Sequence, residues 1–215
     1  MQRTRCGYFY DTIMPCNKRQ PGTGCGAIGG YNRMHAIFGT SESCIAVHPS
    51  DMCVGLVALD AQVIIANAKG ERKISFADFH RLAGNTPEKD NNLQKGELIV
   101  RLEIPVNNLN KNFHYLKVRD RSSYAFALVS VAAALEINQG IIKNARLAMG
   151  GVAHKPWRLI EAENFLKGKT ANASNFEDAA RIAMHGAKGY GENDFKLKMA
   201  PNTIIEALNL AKARA

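Results

Sequence analysis

No cysteine follows Cys53 in this chain of 215 residues, so thiol chemistry of any kind is confined to its N-terminal part. No Ser-His-Asp motif, H-E-x-x-H helix or Walker loop occurs, which sets aside triad hydrolysis, zinc-protease and P-loop chemistry. Long apolar runs are missing too: the longest, Tyr124 to Leu135, is too short to span a bilayer. The opening residues Met1-Gln2-Arg3-Thr4-Arg5-Cys6 lack the apolar segment of a secretory signal, so the default expectation is cytoplasmic and export would need a partner's signal. Positive charge is in excess, 28 Lys and Arg against 19 Asp and Glu for a net +9, but it is spread from Arg3 to Arg214. Without a dense basic block or an interleaved aromatic ladder, nucleic-acid binding is disfavoured. At 46% hydrophobic residues the chain has material for a proper core, in one large domain or two small ones.

Cys6, Cys16, Cys25 and Cys44 follow the spacing C-x9-C-x8-C-x18-C in a stretch rich in Gly, Pro and cations and poor in aliphatic side chains. Such a segment cannot be held by a hydrophobic core of its own. Thiolates bound to iron would hold it, because each ligand crosslinks the loop and ligation free energy becomes folding free energy. Four cysteines are the complement of one cluster. The cations Arg3, Arg5, Lys18, Arg19 and Arg33 suit an anionic four-thiolate centre, lowering thiol pKa and favouring the reduced state. The spacing itself is neither the paired C-x2-C of zinc sites nor the tight ferredoxin run. Ordinary reduced cysteines, or a disulfide pair in an exported chain, stay open at this point.

Residues 1–49 read as loop, with Gly at 22, 24, 26, 29, 30 and 39 and Pro at 15 and 21. Within them Gly24-Cys25-Gly26-Ala27-Ile28-Gly29 spells G-x-G-x-x-G. The flanks Lys18-Arg19-Gln20-Pro21 and Gly30-Tyr31-Asn32 offer neither the strand nor the helix that a dinucleotide fingerprint needs. Ser50 is a good N-cap for a helix through Met52, Leu56 and Leu59, which makes Cys53 a packed helix thiol. Strands are expected over 61–67 and 73–76, joined at Lys69-Gly70, and over 97–104, 113–119 and 141–150, with 84–95 a polar loop. Residues 124–137, apolar and rich in Ala and Val, read as a long helix that turns at Asn138-Gln139-Gly140; further helices are expected over 158–167, 176–185 and 202–214. Composition breaks at 105–111. The fold class is α+β in two modules, residues 1–105 and 106–215.

Several motifs then become recognisable: Gln2-Arg3-Thr4-Arg5-Cys6, Cys16-Asn17-Lys18-Arg19, Asn32-Arg33-Met34-His35-Ala36-Ile37, His48-Pro49-Ser50-Asp51-Met52, Leu102-Glu103-Ile104-Pro105 and Gly150-Gly151-Val152-Ala153-His154-Lys155-Pro156-Trp157-Arg158. In them the sequence resembles the FAD-binding medium subunit of the molybdenum hydroxylases, a family that includes xanthine dehydrogenase and bacterial aldehyde oxidoreductases. The loop 6–44 is most similar to the aldehyde oxidoreductase branch that carries an extra [4Fe-4S] cluster beside the flavin. The resemblance implies that residues 1–105 are the remainder of a PCMH-type FAD-binding domain. Residues 106–215 would form an antiparallel sheet with packed helices, like the C-terminal domain of CO dehydrogenase flavoprotein, serving for packing and subunit docking. In the family a Gly-Gly turn that binds the FAD pyrophosphate precedes the position of Gln2, so the chain is expected to be an N-terminally truncated subunit.

The resemblance further implies Cys6, Cys16, Cys25 and Cys44 as ligands of the [4Fe-4S] cluster, and Asp51, Ile99 and Lys117 as residues facing FAD. Asp51 would accept a hydrogen bond, Ile99 would offer backbone groups, and Lys117 would place positive charge near the flavin N1 and C2 carbonyl. Each has an ordinary role beside this one: helix-dipole partner, strand core and exposed strand lysine. His35 and His48 are candidate substitutes for a cysteine ligand, against the commoner role of structural imidazoles. None of these residues breaks bonds. The implied role is electron transfer: substrate is hydroxylated at a molybdenum cofactor on a large subunit, and electrons pass through [2Fe-2S] centres on a small subunit to FAD here. A partner with a twin-arginine signal would carry the chain to the periplasm. A stand-alone iron–sulfur or zinc binding module and a non-functional gene fragment are the rivals.

Overall fold

The computed structural model describes residues 6–106, 108, 109 and 111–214; the Gln2-Arg3-Thr4-Arg5 motif, with Arg3 and Arg5, lies outside them. Residues 6–49 hold a single helical turn, α1 (Gly7–Tyr10), and otherwise turns and short bridges. They are nevertheless not without a core. Ala36, Ile37, Phe38 and Ile45 are buried, Phe38 stacks on Trp157 at 5.3 Å, and Ile37 and Phe38 belong to the apolar cluster of the C-terminal half. The loop thus borrows a core from residues far along the chain, which composition within the loop does not reveal.

Ser50 caps α2 (Asp51–Ala58), its side chain accepting from the Cys53 N–H, with Asp51 in the first turn where a carboxylate suits the helix dipole. An antiparallel three-stranded sheet follows, β1 (Gln62–Asn67), β2 (Gly70–Ser75) and β3 (Leu98–Glu103), in the order β2-β1-β3. The strand expected over 73–76 begins earlier, at Gly70, and ends at Ser75. Ser75 then accepts from the Asp78 N–H and starts α3 (Phe76–Phe79), which buries Phe76 and Phe79 against α2.

The second sheet is a meander, β4 (Asn112–Val118), β5 (Val129–Asn138), β6 (Ile141–Gly150) and β7 (Trp157–Arg158), each antiparallel to the next. β5 occupies most of the segment read as a helix over 124–137. The reason is that this sheet is covered on both faces. Val129, Val131, Ala133 and Leu135 enter the core under the C-terminal helices, while Ala132 and Ala148 meet α2 from the other side. A strand buried on both faces loses the apolar–polar alternation that marks a half-buried one, so its sequence is apolar throughout.

The C-terminal helices α4 (Ile160–Leu166), α5 (Ala173–Ala183) and α6 (Phe195–Lys212) close one face of the sheet. The expected start of the last one at 202 is late because Pro201 sits inside α6, where proline ordinarily marks a boundary. Arg158 joins the layers: it pairs with the buried Glu163 and donates to the Val57 carbonyl at 2.8 Å and to Asp60 at 2.6 Å. Burial alone would raise the Asp60 carboxyl, but Arg158 and Arg146 outweigh it and hold Asp60 below its ordinary range. Among the described residues no helix is long and apolar enough to cross a membrane.

Candidate metal centre and cofactor pocket

Cys6, Cys16, Cys25 and Cys44 line one small cavity, with Tyr8, Lys18 and His35 on its wall, and all four are free thiols. Cys16 and Cys25 face each other in an antiparallel bridge, closed by Asn17 N–H to the Gly24 carbonyl at 2.7 Å and Gly26 N–H to the Pro15 carbonyl at 2.9 Å. Asn17 Oδ1 accepts from the N–H groups of Gly22 and Gly24, satisfying the turn between them. The Tyr8 ring lies on this turn only because residues 26 and 30 are glycine. A Cβ at Gly26 would stand 2.7 Å from the ring, and one at Gly30 would stand 2.3 Å from the Gly26 carbonyl oxygen.

Burial raises the Cys44 thiol to about 11 and also lifts Cys6; each is pushed further by neighbouring thiols, Cys6 by Cys16 and Cys25, Cys44 by Cys25 and Cys6. At Cys6 and Cys44, burial therefore outweighs the lowering expected from the cations. Lys18 lowers Cys44 but does not offset burial, because its own charge is paired with Asp90 at 2.5 Å and shared with the Pro87 carbonyl. Arg19 is spent on the carbonyls of Tyr8, Phe9, Asp11 and Met14. Arg33 forks both oxygens of Asp120 at 2.8 Å.

The loop is clamped by the segment that leads into α6. Asn32 donates to the Tyr190 carbonyl at 2.7 Å, Asn193 donates to the carbonyls of Ala36 at 3.0 Å and His35 at 3.3 Å, and Lys196 donates to the His35 carbonyl at 2.9 Å. Lys196 has no exposed surface, and burial, with Arg33 adding, lowers it to about 7. Its second bond, 2.7 Å to the Gly151 carbonyl, leads to another site.

That site is an open cavity of about 340 Å³ in which Asp51 and Lys117 meet at 2.7 Å. Tyr115 donates to Asp51 at 2.9 Å and lies 2.9 Å from Ser130 Oγ; burial, with the Asp51 charge, raises its phenol above the ordinary value. Tyr124, 98% exposed and held at φ 48°, and Phe126 present aromatic faces on the rim. The opposite wall is bare backbone at Gly150 and Gly151. A Cβ at Gly150 would stand 2.5 Å from Ser130 Oγ, and one at Gly151, which sits at φ 74°, would stand 2.7 Å from the Leu128 carbonyl oxygen.

Of the residues singled out in the sequence, the structure brings the four cysteines and His35 to one cavity and Asp51 and Lys117 to the other. Ile99, opposite Ile65 on β3, packs on the apolar cluster around α2 rather than lining the second cavity. Cys53 is fully buried in α2, and its Sγ groups with the rings of His48 and His80, the three ligand atoms lying within 4.8 Å of one another. Tyr115, Tyr124, Ser130 and Lys196 were not anticipated. Tyr115 was within reach, since it lies two residues before Lys117 and so on the same strand face, but Ser130 needs the Lys117–Ser130 register across β4 and β5.

Residues 15–107 match the family described as the FAD binding domain in molybdopterin dehydrogenase, and residues 114–210 the CO dehydrogenase flavoprotein C-terminal domain. The chain is 47% identical over 216 residues to the aldehyde oxidoreductase FAD-binding subunit PaoB of Escherichia coli K12, covering 100% of this chain and 64% of that one. It is 38% identical over 131 residues to the glyceraldehyde dehydrogenase medium chain of Sulfolobus acidocaldarius, covering 61% and 44%. Its architecture is similar to that of quinoline 2-oxidoreductase from Pseudomonas putida 86, with a TM-score of 0.64 and 27% identity over 86% of this chain and 60% of that one. The chain spans less than two thirds of the length of these relatives. Both halves are thus matched in order, the FAD binding domain of molybdopterin dehydrogenase and then the CO dehydrogenase flavoprotein C-terminal domain, and along its whole length the chain is similar to a molybdenum-hydroxylase-type FAD-binding subunit.

Proposed function

We propose that this chain is the flavin and iron–sulfur electron-transfer subunit of a molybdenum-dependent oxidoreductase acting on aldehydes or related substrates. It would hold a [4Fe-4S] cluster on Cys6, Cys16, Cys25 and Cys44 and FAD against Asp51 and Lys117, with Ile99 outside that cavity. The observation that carries the reading is the convergence of four free thiols, scattered in sequence, on one cavity. The donor set fits a cluster better than a single ion. Among the described residues, the only three His, Cys, Asp or Glu ligand atoms within 4.8 Å of one another are those of His48, Cys53 and His80. The four thiols are thus spread more widely than a tetrahedral zinc ion, with Zn–S of about 2.3 Å, would draw them. A cluster, in which each thiolate takes its own iron, suits that spread.

Bound there, the cluster would supply one-electron exchange and the flavin the passage between one- and two-electron carriers. This chain's residues bind and orient. Lys117 keeps a positive charge in the second cavity, Asp51 holds it there, and Tyr115 fixes Asp51 through its hydroxyl. Tyr124 and Phe126 offer faces to a planar ring, and the bare backbone of Gly150 and Gly151 permits close approach. The names of the relatives, which call them subunits or medium chains, support partner chains. We assign these as a large subunit with the molybdenum cofactor and a small [2Fe-2S] subunit.

Anaerobic reconstitution with iron and sulfide, followed by metal analysis, tests the cluster. Wild type and Cys53→Ser are expected to hold about four irons per chain, and Cys25→Ser to lose them. Equal loss in Cys53→Ser and Cys25→Ser, or stoichiometric zinc in the protein as purified with no uptake of iron, would refute the reading.

A further inference from the structure

His35 lies on the wall of the four-thiol cavity with 8% of its surface exposed, and neither ring nitrogen has a hydrogen-bond partner. An imidazole carries at least one N–H, and leaving a buried donor without an acceptor is costly. The backbone that carries the ring is anchored, and the ring is packed. The His35 N–H donates to the Asn32 carbonyl at 2.8 Å, its carbonyl accepts from Lys196 at 2.9 Å and Asn193 at 3.3 Å, and Tyr8 packs beside the ring with centroids 6.3 Å apart. The imidazole carries an N–H in either protonation state, so the donor is present whatever the pH. A buried, unpartnered donor on this wall calls for an acceptor, and the four-thiol cavity beside it is where one would sit. The acceptors implied by a four-cysteine donor set are the sulfur atoms of an iron–sulfur cluster.

We propose that His35 is a positioning residue whose ring N–H donates a hydrogen bond to a sulfur atom of the cluster and thereby raises the cluster's reduction potential. The proposal rests on the [4Fe-4S] reading above. A hydrogen bond to sulfur favours the form with more negative charge, which is the reduced one, so its loss lowers the potential. One electron enters from an external reductant such as dithionite, no bond forms or breaks, and the proton stays on the imidazole.

The test uses the whole chain, reconstituted, as wild type, His35→Leu, His35→Gln and Cys25→Ser, with iron content measured before the potential. A wild type that takes up no iron overturns the cluster reading and this proposal together. With the cluster present, His35→Leu is expected to keep its iron. At the wild-type midpoint its ratio of oxidised to reduced cluster is expected to rise about tenfold, equivalent to about 59 mV for one electron. His35→Gln, which retains a donor, is expected to recover part of the shift. Full iron with an unchanged potential in both variants overturns the hydrogen bond and leaves the cluster reading standing. Iron loss from a folded His35→Leu as complete as from Cys25→Ser overturns it in favour of ligation by His35. If His35→Leu does not fold, electron–nuclear double resonance on the reduced wild type decides: an exchangeable proton and a weakly coupled imidazole nitrogen support the proposal, and their absence overturns it.

Discussion

Replacing Lys196 by Met is expected to flatten a rise of stability with pH that the buried lysine gives the wild type between about pH 7 and 8.5, as read from its lowered pKa. Lys196 has no exposed surface, and two carbonyl oxygens, of His35 and Gly151, receive its ammonium. Burial, with Arg33 adding, lowers its pKa from 10.5 to about 7. Between those values the unfolded chain binds the proton and the folded chain has released it, so stability climbs with pH; below the folded value the penalty is fully present. The limiting slope is about 1.4 kcal/mol per pH unit, and with half-titration at the lower end the gain across the window is about 1.5–2 kcal/mol. The raised thiols of Cys6, Cys44 and Cys53 begin to oppose the rise at the upper end, but equally in wild type and variant, so the difference between the two slopes isolates Lys196. His35, lowered from 6.5 to about 4, gives its own rise at more acid pH. Cys44, raised from 9.0 to about 11, reverses the sign in alkali because there the folded chain keeps the proton longer. Urea melts across the window, with m held common, read the slope. The absolute stability of Lys196→Met decides nothing, since the variant loses two hydrogen bonds together with the buried charge. A variant whose stability rises as steeply as the wild type's would mean that Lys196 titrates near its ordinary value, and the burial argument would fail.

Glu163→Ala strands Arg158 and the Leu147 N–H, both bonded to Glu163 inside the protein, and is expected to cost about 3–5 kcal/mol in urea melts; a loss below about 1 kcal/mol would show that Arg158 finds enough in Asp60 and Val57. Gly151→Ala forces a Cβ to 2.7 Å from the Leu128 carbonyl oxygen at φ 74° and is expected to destabilise by about 1–3 kcal/mol and to weaken FAD binding; native stability and flavin titration would contradict the backbone-wall argument. Lys117→Met is expected to weaken FAD about tenfold or more by flavin fluorescence while changing stability by less than about 1 kcal/mol, because its pair with Asp51 is half exposed. Unchanged affinity would remove Lys117 from the site.

Strands β1, β3, β4 and β6 lie close to where local pattern puts them, because they are short runs rich in β-branched, aromatic and aliphatic residues and turn residues or Pro105 bound most of them. β5 escapes because its environment, not its own sequence, decides between helix and strand: both faces are covered, so the pattern carries no period. Pro201 misleads in the opposite direction, a boundary signal overridden by the burial of Ala200, Ile204, Ala207 and Leu208 along one face of α6. The tail of the cysteine loop looks unsupported because its supports, Trp157 and the α6 lead-in, are more than a hundred residues away.

The same distance separates what was legible of the sites from what was not. Residue type and composition single out the cysteines, but nothing local says that His35 joins them or that His48 instead stands with Cys53 and His80. Both outcomes depend on how the loop is docked, and the docking donors come from Asn193 and Lys196, 158 and 161 positions from His35. The C-terminal half is therefore more than a packing surface for subunit contact. Lys196 bonds the carbonyl of Gly151 in the wall of the Asp51–Lys117 cavity and the carbonyl of His35 at the thiol cavity, so one buried side chain spans both sites. A displacement of either loop moves a donor the other needs. Substitution of Lys196 is thus expected to disturb iron retention and flavin affinity together, and of Asn193 the iron first, whereas Lys117→Met disturbs the flavin alone.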